Sequence, residues 1–90
     1  MTKVSRIWHP YTQHAIAGPA VHIDRAEGAY LHARDGRKII DAISSWWVIT
    51  HGHCHPKITT AIQQQAEKLD QVIFAGFSHT PAEKLAAKLL

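Results

Sequence analysis

Hydrophobic and polar positions along the chain change period several times, and each change marks an element. Residues 1–19 have no clean period and are broken by Pro10, Gly18 and Pro19, which predicts an extended arm. Val21 and Ile23 then alternate with His22 and Asp24, the period of two expected of a half-buried strand. Glu27-Gly28 reads as a turn, Ala29 to Ala33 as a second strand, and Lys38 to Asp41 as a third. Between the last two, Arg34-Asp35-Gly36-Arg37 contains Asp-Gly, a strong short hairpin signal. Residues 20–41 are therefore expected to form a small antiparallel meander.

Beyond it the period lengthens. Ala42 to Trp47 leaves the meander, and Val48-Ile49-Thr50 is β-prone but short. Pro56 suits the first turn of a helix, where its missing N–H is no loss. Ile58, Ala61, Ile62, Ala66 and Leu69 then recur at helical spacing to near Asp70, with Lys57, Gln64, Glu67 and Lys68 on the wet face. Val72 to Phe77 is an apolar connector with a kink at Gly76. Thr80-Pro81-Ala82-Glu83 has the pattern of a capping box: Thr80 is expected to cap, Pro81 to open the helix and Glu83 to reach back. Ala82, Leu85, Ala86 and Leu89 give that helix its apolar side.

Composition narrows the class. The 10 basic residues exceed the 7 acidic ones by 3, but they are spread along the chain with no run longer than Arg37-Lys38. A nucleic-acid surface needs basic residues clustered on one face, and none is visible. The lone Cys54 has no internal partner for a disulfide. No segment is apolar enough to span a membrane, and the start lacks the apolar core of a secretory signal. A cytoplasmic protein is the expectation. The chain stops at Ala86-Ala87-Lys88-Leu89-Leu90 inside a helical pattern with no Gly or Asn stop signal, so a fragment is expected.

The candidate chemistry lies in two aromatic clusters, Trp8-His9-Pro10-Tyr11-Thr12 and Ser44-Ser45-Trp46-Trp47. All three tryptophans of the 90 residues sit there beside polar, turn-forming neighbours. Indole and phenol groups favour sites that are part apolar and part wet, so these residues read as a pocket wall as readily as core. His51, His53 and His55 share one face of an extended backbone and would suit zinc, with Cys54 facing away. The competing reading is a Gly-containing loop ahead of the helix start at Pro56.

The order W-H-P-Y-T, D-G-R-K-I-I-D, S-S-W-W, H-G-x-x-H-P and F-A-G-F-S-H-T-P-A-E resembles the N-terminus of the class III pyridoxal-phosphate (PLP) aminotransferases, over about Ile7 to Leu90. The W-H-P-Y-T and S-S-W-W parts resemble the family's biotin-pathway branch. The resemblance implies an α/β fold, the N-terminal part of a fold type I PLP-dependent transferase: extended arm, three-stranded meander, then two helices. Residues 1–43 would belong to the small domain and 44–90 to the start of the large PLP-binding domain. It implies amino transfer from S-adenosylmethionine to 8-amino-7-oxononanoate, giving 7,8-diaminononanoate, by a homodimer. Trp46 and Tyr11 would bind substrate. Gly76, Phe77 and Ser78 would form a loop near the dimer interface, although the family more often has an Ile-Thr-like pair at positions 77 and 78. The family pattern keeps His51, Gly52, His55 and Pro56 but does not require His53 or Cys54, so no metal site is expected. The lysine that carries the cofactor would lie beyond Leu90, so no catalytic residue is assigned, and the chain alone is expected to be inactive. Two other readings stay open: a class III aminotransferase acting on a different amine, and a small His-rich metal-binding module.

Overall fold

The computed structural model describes residues 5–90, so the first four residues of the expected arm lie outside the described residues. The chain divides into two compact units, one running to His55 and one from Pro56 to Leu90.

The first unit is built on three antiparallel strands in sequence order: β1 (Ile23–Glu27), β2 (Tyr30–Ala33) and β3 (Lys38–Ile40). The expected meander forms, but its first strand lies later than the Val21–Asp24 alternation placed it. The pairing jumps from Ile23↔Ala33 to Arg25↔His32, leaving Asp24 as an extra, unpaired residue. This bulge resets the pleat. Ile23 and Ala26 are consequently the half-buried residues of β1, three apart instead of two. Strict alternation ends there because of the bulge, not because the strand ends.

β2 to β3 runs Tyr30↔Ile40, Leu31↔Ile39 and His32↔Lys38. The connecting loop is not the two-residue turn that Asp-Gly first brings to mind. Only Gly36 is left-handed (φ 95°), whereas a type I′ turn needs two such residues. The Gly36 N–H donates to the Ala33 carbonyl (3.0 Å) and the Ala33 N–H to the Arg37 carbonyl (2.9 Å), giving a three-residue loop of Arg34, Asp35 and Gly36. Asp35 accepts from the Arg37 backbone N–H (3.0 Å) and from its Nε (2.8 Å), which fixes the loop from inside. Ala33, at the end of the central strand, is the one buried hydrophobic residue among those described, 8% exposed.

After β3 the chain turns through α1 (Ser44–Trp47), a single irregular turn in which Ser45 and Trp46 have non-helical angles. Val48 and Ile49 do not extend into a strand; their N–H groups both fold back onto the Ser44 carbonyl (3.0 and 3.1 Å).

The second unit holds α2 (Pro56–Lys68) and α3 (Thr80–Leu89). Pro56 opens α2 as its sequence position predicts. At the other end the Leu69 N–H reaches the Gln65 carbonyl, and the Gln65 side chain returns a bond to the Leu69 carbonyl (both 2.8 Å). Lys68 in the last turn complements the helix dipole. α3 is capped one residue earlier than the Thr80 box predicts. His79 is the N-cap, in extended conformation, and its Nδ1 accepts from the Ala82 N–H (3.2 Å). Thr80 and Pro81 are then the first two helical residues, and Glu83 accepts from the Ser78 hydroxyl instead of reaching back to Thr80 (2.5 Å). The frame shifts because an imidazole nitrogen can do what the Thr hydroxyl was expected to do, and Phe74 holds that ring edge-on at 4.9 Å. Neither helix buries a residue, and α2 and α3 do not pack on one another. Ile58 and Ile62 of α2 and Leu85 and Leu89 of α3 are exposed.

Candidate functional site

The arm supplies the first half of the site. The His14 ring lies 4.6 Å from the Trp8 ring, and its Nε2 sits 3.1 Å from the backbone N–H of His9. The Ile16 and Ala17 N–H groups close a turn on the Gln13 carbonyl (3.1 and 2.8 Å). Thr12 donates its hydroxyl to the Pro10 carbonyl (2.8 Å). Between these two folded pieces Tyr11 takes a left-handed conformation (φ 51°). The phenol is thrown outward, 91% exposed.

The α1 turn supplies the second half. Ser44, Ser45 and Trp47 all have positive φ (50°, 63° and 63°), a conformation that side chains with a Cβ adopt rarely. Ser45, with ψ −94°, lies near the geometry of the strained γ-turn. This kink turns Trp46 toward Tyr11. The two rings stack at 5.6 Å between centroids, 22° from parallel, within the range of favourable offset stacking. Trp47 follows at 6.1 Å and 58° from Trp46. Trp46 is still 61% exposed, so one indole face meets Tyr11 and much of the ring remains open. Two stretches far apart in sequence thus converge on one apolar surface edged by a phenol hydroxyl and an indole N–H.

Beneath the turn sits a largely shielded carboxylate–imidazole contact. Asp41 Oδ2 lies 2.6 Å from His53 Nε2, with side chains 6% and 15% exposed. The same oxygen accepts from the Ser45 N–H (2.8 Å). The hydrogen bond from His53, opposed by burial and helped by the Ser45 amide, holds the Asp41 carboxyl below its ordinary value. His53 is held in turn by a pair of backbone bonds with Gly28, 3.1 and 2.8 Å. Gly52 has φ +83° and a Cβ there would stand 3.2 Å from Gly28 Cα, so the crossing requires glycine. Sequence reasoning read Asp41 only as the end of the third strand and His53 only as part of a histidine row. Nothing in their spacing announces the pair, because the Gly28–His53 crossing that creates it is a tertiary contact.

The histidine row does not assemble. His53 is engaged by Asp41, His51 Nδ1 lies 2.9 Å from the Thr50 hydroxyl, and Cys54 is exposed with φ 54°. Among the described residues no three His, Cys, Asp or Glu side chains are placed to hold a metal ion. Gly76, Phe77 and Ser78 lie in the second unit, in the exposed loop before α3, where Gly76 has φ 93°. No helix among the described residues is long and apolar enough to cross a membrane.

Gly52 closely approaches the Gly28 backbone across the crossing, and both glycines line a small cavity with Asp41, Ser44, Thr50 and His53. The Lys38 ammonium lies over the Tyr30 ring, 4.0 Å from its centroid.

Solved aminotransferases share this fold, and the sequence agrees. Residues 11–90 match the family described as Aminotransferase class-III, and the chain belongs to it. A relative named adenosylmethionine-8-amino-7-oxononanoate aminotransferase, from Synechococcus elongatus, is 52% identical over 83 residues, covering 92% of this chain and 20% of that protein. The crystal structure of a protein of the same name from Methanocaldococcus jannaschii superposes with a TM-score of 0.85 at 40% identity, over 93% of this chain and 20% of that one. An omega transaminase from Pseudomonas jessenii, solved in complex with PMP, gives a TM-score of 0.82 at 33% identity over 92% of this chain and 19% of its own. The chain therefore spans about a fifth of the length of the relatives it matches.

Proposed function

We propose that this chain is the N-terminal part of a biotin-pathway aminotransferase that moves an amino group from S-adenosylmethionine to 8-amino-7-oxononanoate. Trp46 and Tyr11 form the wall that receives the acceptor. The observation carrying this reading is the Tyr11–Trp46 stack, 5.6 Å apart, built on two left-handed turns in a chain 52% identical to a relative of that printed name.

The chemistry of the wall follows from its surface. The acceptor joins an aliphatic chain to a polar amino-ketone. Covering methylenes with an aromatic face stabilises the complex by roughly 0.8 kcal/mol each. The Tyr11 hydroxyl, at the edge of the stack, can donate to the carbonyl or accept from the amine. An adenosyl group fits the same flat surface by stacking, so one wall serves both donor and acceptor. PLP, when bound, supplies the electron sink for amino transfer. Its binding is proposed for residues outside this chain. The reading also assigns 1–43 to a small domain and 44–90 to the start of the cofactor-binding domain. It places the enzyme in the cytoplasm as a homodimer, with Gly76, Phe77 and Ser78 near the interface.

Steady-state kinetics of the full-length protein tests this. Trp46→Ala is expected to raise KM for the amino-ketone by about tenfold, equivalent to ~1.4 kcal/mol of lost contact, and Tyr11→Phe by a smaller factor. Unchanged kinetics in both variants would remove the wall from the substrate site.

A further inference from the structure

The backbone that aims Trp46 is costly to hold. Ser44, Ser45 and Trp47 are left-handed within a four-residue turn, a region that residues with a Cβ occupy only under strain. Such strain persists only where neighbouring groups fix it. The backbone supplies part of the restraint: Trp47 N–H to the Ile43 carbonyl (2.9 Å), and Val48 and Ile49 to Ser44. None of these reaches the Ser45 N–H, in the middle of the kink. That amide donates to Asp41 Oδ2 (2.8 Å).

Asp41 is itself anchored, directly and through His53. Its N–H donates to the Ala29 carbonyl (2.7 Å), tying it to the β1–β2 hairpin. Its carboxylate meets His53 Nε2 at 2.6 Å. His53 returns to the same hairpin through its paired bonds with Gly28. The result is a closed ring of contacts, from hairpin to Asp41 to His53 and back, with one arm extended to Ser45. Both side chains are mostly shielded from water, at 6% and 15% exposure, so the pair is screened less than a surface pair.

We propose that Asp41, oriented by His53, is a positioning residue: its carboxylate fixes the Ser44–Trp47 kink and thereby sets the face that Trp46 presents to Tyr11 and to substrate. The clamp acts on the wall and touches no reacting atom. Its bearing on substrate rests on the function proposed above, whereas its bearing on the turn does not.

The test uses the full-length protein and two readouts. One is the circular dichroism couplet of the Trp46–Trp47 pair, assigned as the signal lost in Trp46→Ala. The other is the division of any kinetic effect between KM and kcat. Asp41→Ala is expected to abolish the couplet and raise KM for the amino-ketone about tenfold while kcat stays within about twofold. Asp41→Asn keeps an amide oxygen that can accept from both the Ser45 N–H and His53 Nε2, as Asp41 Oδ2 does, and is expected to restore both readouts. His53→Ala, which leaves the Ser45 bond in place, is expected to give a partial loss and serves should Asp41→Ala fail to fold. A wild-type couplet and KM in Asp41→Ala would overturn the proposal, as would an effect of Asp41→Ala that Asp41→Asn does not relieve. If Trp46→Ala leaves KM unchanged while Asp41→Ala still removes the couplet, the clamp stands and the substrate reading falls.

Discussion

Gly52 carries a heavier structural demand than any other glycine in the chain, and replacing it by alanine tests the crossing that the site is built on. At φ +83° an L-residue with a Cβ is disfavoured by roughly 1–2 kcal/mol. The added methyl would also stand 3.2 Å from Gly28 Cα and 3.5 Å from its carbonyl carbon and oxygen, all backbone atoms that cannot rotate away. The two chain segments must part by a few tenths of an ångström, and the paired Gly28–His53 bonds at 3.1 and 2.8 Å are the first to lengthen. Strain and crowding together are expected to weaken the crossing by about 2 kcal/mol, close to a thirtyfold change in a local opening equilibrium. Amide hydrogen exchange reads this directly. The Gly28 and His53 amides should lose about thirtyfold in protection in Gly52→Ala, while amides within α2 keep theirs. Gly18→Ala is the control: nothing lies within 4 Å of its Cβ position, and no loss of protection is expected. Undiminished protection at Gly28 and His53 in a folded Gly52→Ala protein would refute the argument that the close approach requires glycine.

Two further outcomes are expected. The Asp41 carboxyl is held below its ordinary value by His53 first, and an unfolded aspartate titrates near pH ~3.9. A group depressed in the folded state contributes stability that is complete above the unfolded value and lost as pH falls through the folded one. The urea midpoint of unfolding should therefore gain nothing further from Asp41 above about pH 5 and fall in more acid solution, and Asp41→Asn should show a shallower acid decline; a decline of equal depth in both would be contrary. His79→Ala should destabilise the start of α3 by ~1 kcal/mol, seen as faster exchange of the Ala82 amide, with His79→Asn restoring most of it; equal exchange in all three proteins would show that the imidazole does not cap.

How much of this was legible beforehand differs element by element. The meander, the helix from Pro56 and the apolar stripe of α2 follow from periodicity, because a pleat or a helical turn imposes its period on the residues that face inward. The pairing of Tyr11 with Trp46 was readable only as an expectation from motif resemblance, since contact between such distant residues leaves no local periodicity. The cap at His79 was misplaced by one residue because Thr80-Pro81-Ala82-Glu83 satisfies the capping pattern while the ring beside it has the better-placed acceptor.

The sequence by itself determined which segments become strands and helices, where they are punctuated, and which family they belong to, for these depend on neighbours within a few residues or on matched motifs. Tertiary structure alone decided the Asp24 bulge that resets β1, the Gly28–Gly52 crossing, the Asp41–His53–Ser45 clamp, and the left-handed turn that lays Trp46 against Tyr11. Each of these is a contact between residues whose individual propensities are unremarkable. Their geometry exists only once the hairpin has brought both partners to the same place.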